Sequence, residues 1–172
     1  MVSVRRLLPH EWQKYRDVRL ESLKESPDAF GSTHDAEVRR PDSEWRRRVV
    51  LGTSTDRALP LVCEMEEGIA GLLWGRFNDE GTDEAHLYQM WVRPEARGKG
   101  IGSALLREAI DWARAQHASR LVLGVTSAES TAYRLYARAG FRDAGEDAPL
   151  CSESDSSCRK MVLDLSSLRA DT

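Results

Sequence analysis

Three glycines and two cations fall within the six residues Arg97-Gly98-Lys99-Gly100-Ile101-Gly102, between an apolar run ending at Val92 and a helical pattern opening at Ile101. Glycine lets the backbone turn and approach a ligand without a Cβ clash, and the first turn of a helix presents N–H groups with no intrahelical partner. Helix polarity favours an anion at such an end, and Arg97 and Lys99 would reinforce it. The chemistry this run can do is to cradle a diphosphate. The same glycines would equally serve a turn that only tightens strand-to-helix packing, so the surroundings must decide. Two other phosphate motifs fit poorly. A dinucleotide fingerprint, G-x-G-x-x-G, counted from Gly98 meets Ser103 at its last position, and no string has the spacing of a P-loop.

Other chemically able residues are scattered. Tyr136 lies on an amphipathic stretch, where an aromatic ordinarily fills the core and its hydroxyl finds one hydrogen bond. Glu84 and His86 stand on the apolar run that leads to Val92 and are the candidates for a general base, directly or through water. Cys63, Cys151 and Cys158 have no His or Asp nearby in sequence to mark an activated thiol, no disulfide-framework spacing and no second ligand pair for zinc. They read as reduced thiols, and no metal is expected. Arg46-Arg47-Arg48 reads as a solvated helix face. Trp12, Trp45, Trp74, Trp91 and Trp112 are spread along the chain as core fillers would be.

The elements that position these groups follow from periodicity. Val2 to Leu7 reads as a strand stopped by Pro9, and His10 to Glu25 as a helix carrying Trp12, Tyr15, Val18, Leu20 and Leu23. Ser26-Pro27-Asp28 breaks it. The small, apolar Ala29 to Thr33 suits a pocket wall, and an amphipathic stretch follows at Ser43 to Leu51. Leu59 to Met65, Ile69 to Phe77 and Ala85 to Val92 form an antiparallel meander, their links being Glu66-Glu67-Gly68 and a longer polar loop from Asn78 to Thr82. The period then switches: helix from Ile101 to Gln116, buried strand from Leu121 to Val125, helix from Ser130 to Ala139, a strand opening at Phe141 and a last one from Met161 to Leu165. Alternation of strand and helix requires at least one parallel pair, so the sheet is mixed.

Composition bounds the partners. With 172 residues, 41% hydrophobic and 31% charged, and without a repeat or linker, residues 1–172 read as one domain that needs no staple. A formal net charge of −3 removes sequence-independent nucleic-acid binding. No run of 18 apolar residues and no secretory signal is present, which predicts a soluble cytoplasmic protein with no membrane partner.

Arg97-Gly98-Lys99-Gly100-Ile101-Gly102 resembles motif A of the GCN5-related N-acetyltransferases (GNAT), Q/R-x-x-G-x-G/A, complete and in register. Ala132-Tyr133-Arg134-Leu135-Tyr136-Ala137-Arg138-Ala139-Gly140-Phe141 is similar to the family's motif B, A-x-x-L-Y-x-x-x-G-F. Together with flanking strands the resemblance covers about residues 60 to 165. It implies a GNAT fold in the α/β class: a central mixed, mostly antiparallel twisted sheet of about seven strands, flanked by about four helices and splayed between two central parallel strands. It also implies acetyl-CoA as donor, with the diphosphate on Arg97, Gly98, Lys99, Gly100, Ile101, Gly102 and Ser103, and the pantetheine arm along Met90, Trp91 and Val92. Tyr136 would touch the donor and protonate the leaving thiolate. Glu129 stands where the family usually has an Asn contact. Phe30, Gly31, Ser32 and Thr33 would line the acceptor pocket together with the loop before the last strand.

The resemblance thus implies an N-acetyltransferase that moves an acetyl group to a primary amine, preferably of a small molecule, through a ternary complex, with Tyr136 and Glu84 as the catalytic candidates. The acidic stretch over residues 143 to 158 favours a cationic amine over an acid. A protein N-terminus or lysine as acceptor, and a noncatalytic acyl-CoA sensor, are the alternative readings. The family also admits a homodimer.

Overall fold

The computed structural model describes residues 2–27, 32–125, 130–145 and 159–166. Its centre is one seven-stranded sheet in the order β1-β2-β3-β4-β5-β7-β6. The strands are β1 (Ser3–Arg6), β2 (Ala58–Met65), β3 (Gly68–Phe77), β4 (Glu84–Val92), β5 (Arg120–Val125), β6 (Arg142–Asp143) and β7 (Arg159–Asp164). Every neighbouring pair is antiparallel except β4 and β5. This is the mixed, mostly antiparallel sheet expected.

Helices cover both faces. On one lie α1 (Trp12–Glu25), α2 (His34–Val38) and α3 (Asp42–Thr53); on the other α4 (Ile101–Ala115) and α5 (Thr131–Arg138). The described residues thus hold five α-helices where about four were expected. The extra one, α2, has five residues and no apolar period, and it is started by Thr33, whose hydroxyl accepts from the Ala36 N–H at 3.2 Å. A cap, rather than an amphipathic pattern, makes this helix.

The two faces carry separate cores. Ile101, Leu105, Ala109, Trp112 and Ala113 recur at helical spacing and bury one stripe of α4 against Leu61, Leu73, Leu87 and Leu121. Full burial of a leucine such as Leu105 or Leu121 contributes roughly 1.5–3 kcal/mol. The opposite core joins Tyr15 and Val18 of α1 to Trp45 and Val49 of α3 and to Leu72, Trp74 and Trp91 of the sheet. Trp45, Trp74, Trp91 and Trp112 are core residues as expected, whereas Trp12 is only partly buried and lies under the Arg16 and Arg46 guanidinium groups. Cys63 is a buried free thiol whose pKa burial pushes up, so it is inert; Cys151 and Cys158 lie outside the described residues.

Candidate active site

The donor side begins where β4 stops. A short 3₁₀ turn at Pro94–Ala96 leads into the glycine loop, and Gly100, at φ +80°, caps the start of α4. Gly98 has φ +78°. A Cβ built on either residue would meet nothing within 4 Å, so both are required by backbone conformation and face open space. The first intrahelical bond of α4 runs from the Ala104 N–H to the Gly100 carbonyl, which leaves the amides of Ile101, Gly102 and Ser103 ahead of it. The first turn holds no acidic residue, and no side chain caps it. An anion arriving here meets bare amides and the positive helix end.

Gly102 does something different. A Cβ there would stand 3.0 Å from Leu135 Cδ2 and 3.4 Å from Met90 Cε, so its smallness lets α4 press against α5 and β4. The two cations also diverge. Lys99 is exposed, but the Arg97 Nε donates to the Val92 carbonyl at 3.0 Å and its Nη2 to the Glu25 carboxylate at 2.9 Å. Glu25 also accepts from Trp91 Nε1 at 2.8 Å and from the Ser26 hydroxyl. Arg97 thereby fastens the loop to the end of α1.

Beside the loop the sheet opens. The parallel ladder of β4 and β5 consists of Glu84 with Arg120, Ala85 with Leu121 and His86 with Val122; beyond it β5 continues only with β7 and β4 only with β3. The separation is marked by an irregularity opposite Leu72 to Trp74, where Gln89 adopts φ +62° and its side-chain carbonyl accepts from the Tyr15 hydroxyl at 2.7 Å. A non-glycine residue in that region forms a bulge with one residue more than its partner strand. Before it Ala85 and Leu87 face α4; after it Met90 and Val92 do, while Trp91 turns to α1.

A cleft of about 900 Å³ runs from this opening to the helices on the other face. Met90, Leu123, Gly124, Val125, Ser130 and Tyr136 form its donor end. Ser130 caps α5 by accepting from the Tyr133 N–H at 3.1 Å, which sets the helix that carries Tyr136. The Tyr136 ring packs on Phe141 at 5.9 Å, and burial raises its phenol pKa well above the ordinary value, so the hydroxyl stays protonated.

The other end of the cleft is built from residues that the sequence reading did not assign to a site: Tyr15 and Arg19 of α1, Glu37 of α2, Arg40, and Arg48 of α3. Arg48 corrects the reading of Arg46-Arg47-Arg48 as a solvated face, since its guanidinium turns inward to Glu37 at 2.9 Å. Its spacing of three from Trp45, on the buried face of α3, was the available signal. Of the expected acceptor residues, Ser32 lines the cleft and Thr33 caps α2; Phe30 and Gly31 lie outside the described residues, as do Glu129 and most of the acidic stretch.

Glu84 stands at the closed end of the parallel ladder, hydrogen-bonded to Arg120 and 3.1 Å from His86 Nε2. Neither Glu84 nor His86 lines the cleft, but Tyr88, next on the same side of β4, does, and its ring stacks on His86 at 6.1 Å. Burial lowers the His86 pKa against the opposing pull of Glu84, which favours the neutral imidazole. Among the described residues no three His, Cys, Asp or Glu side chains gather as metal ligands do, and no helix is long and apolar enough to cross a membrane.

The profile of the Acetyltransferase (GNAT) family matches residues 12–141. Streptothricin acetyltransferase of Streptomyces lavendulae is 34% identical over 128 residues, which are 74% of this chain and 61% of that enzyme. The chain spans less than two thirds of the length of the curated relatives it matches. Among solved structures, a GNAT-family acetyltransferase from Streptococcus pneumoniae superposes with a TM-score of 0.80 at 22% identity, covering 96% of this chain and 100% of the other. PaiA N-acetyltransferase from Thermoplasma acidophilum, solved in complex with coenzyme A, gives 0.69 at 19% identity, covering 95% and 99%. The profile takes in both the glycine loop and the Tyr136 helix, and this chain belongs to the GNAT acetyltransferase family.

Proposed function

We propose that this protein is an acetyl-CoA-dependent N-acetyltransferase whose acceptor is the primary amine of a small molecule. One observation carries the reading: Gly102, in the first turn of α4, packs against Met90, and Met90 lines together with Tyr136 a cleft that opens where β4 leaves β5 and reaches α1 and α3. The fit to a CoA diphosphate rests on Gly98 and Gly100, whose positive φ and open Cβ positions leave the amides accessible. When bound, acetyl-CoA supplies an activated acyl group that an amine can attack.

The residues of this chain then have three tasks. The amides of residues 101–103 and Lys99 hold the diphosphate, and the β4 edge at Met90 to Val92 holds the arm. The acceptor must present a neutral nitrogen, and deprotonating a lysine-like amine at pH 7 costs about 4.6 kcal/mol. That proton leaves through water to the Glu84–His86 pair, which stands beside Tyr88 outside the cleft: a carboxylate that accepts from Nε2–H leaves Nδ1 free to accept. Tyr136, held protonated by burial, donates to the leaving sulfur.

Similarity to streptothricin acetyltransferase favours a small acceptor over a protein N-terminus or lysine. The buried thiol of Cys63 agrees with a reducing, cytoplasmic setting. The test is calorimetric titration with acetyl-CoA, followed on the same sample by an amine panel scored by release of the CoA thiol. Saturable binding with thiol release supports the transferase; saturable binding without release over any acceptor identifies an acyl-CoA sensor; no binding removes both.

A further inference from the structure

Among the described residues, two that are not glycine have positive φ, and they differ in what supports them. His117, at φ +61°, stands just past the end of α4, where its N–H reaches the Arg114 carbonyl at 3.0 Å and the Ala118 N–H reaches the Ala113 carbonyl at 2.9 Å. That pair of bonds is the usual left-handed close of a helix, held by backbone alone. Gln89, at φ +62°, stands inside β4. Because Leu72 pairs with Trp91 and Trp74 with Tyr88, Gln89 and Met90 share the place opposite Leu73. Glycine would take up a left-handed conformation at such a bulge without strain. A glutamine held there points to a use for its side chain.

That side chain is anchored from another element. Gln89 Oε1 accepts from the hydroxyl of Tyr15, on α1 and 74 residues earlier in the chain, at 2.7 Å. Tyr15 is 1% exposed, and its ring lies 5.7 Å from that of Trp45 and 5.0 Å from that of Trp74, so packing fixes where its hydroxyl stands. Burial raises its pKa, which keeps the phenol neutral and able to donate. A rigid donor thus grips the tip of a residue whose backbone is strained. Both residues line the cleft, as does Met90, the next in the chain, which packs beside Gly102 of α4.

We infer that Tyr15 is a positioning residue for the donor: its hydroxyl keeps Gln89 left-handed and so keeps the Met90 to Val92 edge turned to receive the pantetheine arm. The inference rests on the transferase reading and brings a residue of α1 into the donor side of it. Tyr15 acts through the conformation of one residue and without touching acetyl-CoA. Once the hydrogen bond is removed, the strand spends part of its time in a form that does not fit the arm, and the apparent affinity falls by the fraction lost.

The test is calorimetric titration of acetyl-CoA into Tyr15→Phe, Gln89→Gly and the double variant. Tyr15→Phe keeps the ring among its aromatic neighbours and removes the hydrogen bond; it should weaken acetyl-CoA binding about fivefold to tenfold, the usual worth of one such bond. In the Gln89→Gly background the same change should weaken it by less than about twofold, because glycine takes the left-handed form without an anchor. Gln89→Met, which keeps the length of the side chain but has no oxygen to accept, should bind as weakly as Tyr15→Phe. If Tyr15→Phe fails to fold, Gln89→Met against Gln89→Gly decides alone: the glycine variant should bind acetyl-CoA more tightly, and equal affinity overturns the inference. An acetyl-CoA Kd unmoved by Tyr15→Phe, an equal loss in both backgrounds, or a loss confined to the acceptor KM overturns it as well. Absence of acetyl-CoA binding by the wild-type protein would instead bring down the transferase reading itself.

Discussion

The two ends of the cleft are made of different materials. The donor end consists mostly of backbone: two glycines at positive φ, three amides ahead of the first helical bond, and a strand edge released from its neighbour. The acceptor end consists of side chains drawn from three helices, with guanidinium groups and one buried carboxylate setting its charge. A backbone site tolerates change everywhere except at the residues that fix its dihedral angles. A side-chain site keeps its fold while its chemistry is rewritten, which suits a shared donor and a variable acceptor.

That contrast can be broken first at its catalytic junction. Tyr136→Phe should lower kcat by on the order of 10²–10⁴, the range for losing a proton donor, with the calorimetric acetyl-CoA Kd unmoved. An unaltered kcat would leave Tyr136 as packing for Phe141. Because burial raises the Tyr136 pKa, the pH–rate profile should show no phenol limb below about pH 10, the ordinary tyrosine value.

The side of the fold that carries α1 should be the acid-sensitive one. Glu11, almost fully buried at the start of α1, accepts from Arg5 at 2.9 Å through both oxygens and from the Leu8 N–H at 2.8 Å, tying β1 to α1. The hydrogen bonds from Arg5 hold its pKa at about 2, below the usual 4.5. A depressed carboxylate stabilises the fold above its unfolded pKa, and the contribution fades as pH falls from about 4.5 to about 2. The shift corresponds to about 3 kcal/mol. Chemical denaturation at pH 7 and pH 3 should show about 2 kcal/mol of this loss in the wild type, and Glu11→Gln should remove that share of the difference.

Gly100→Val tests the backbone end. A β-branched residue at φ +80° is strained by roughly 1–2 kcal/mol and would stand before the amides, so acetyl-CoA affinity should fall about tenfold to a hundredfold. An unchanged Kd would remove the cradle. The smallest effect belongs to Gly102→Ala, whose methyl group meets Leu135 Cδ2 at 3.0 Å. It should cost about 1 kcal/mol of stability by overpacking, and Leu135→Ala in the same chain should relieve part of it, as a double-mutant cycle would report.

Legibility follows the same division. The glycine loop and the strands could be read because the requirement for positive φ, the turn signals and the period of two are each local. The loop's Arg97 could be read as a cation but not as the partner of Glu25, which lies 72 residues away in the chain. The acceptor wall was hidden for a similar reason. Arg19 looks like an ordinary helix arginine until Tyr15, Val18, Ser22 and Leu23 are seen buried around it, and α2 is too short to announce itself by periodicity. Only packing brings Arg48 to Glu37, across 11 residues.

The extra residue at Gln89 acts as a phase slip in the strand. It lets one continuous segment address opposite sides of the sheet in succession, delivering Met90 to the α4 side and, one peptide later, the Trp91 indole to Glu25. Deleting a single amino acid there would exchange those two destinations, driving the indole toward α4 and the thioether toward α1. Substitutions around it can be accommodated one at a time, but the length of chain between Tyr88 and Val92 cannot change without rewiring both halves of the enzyme at once.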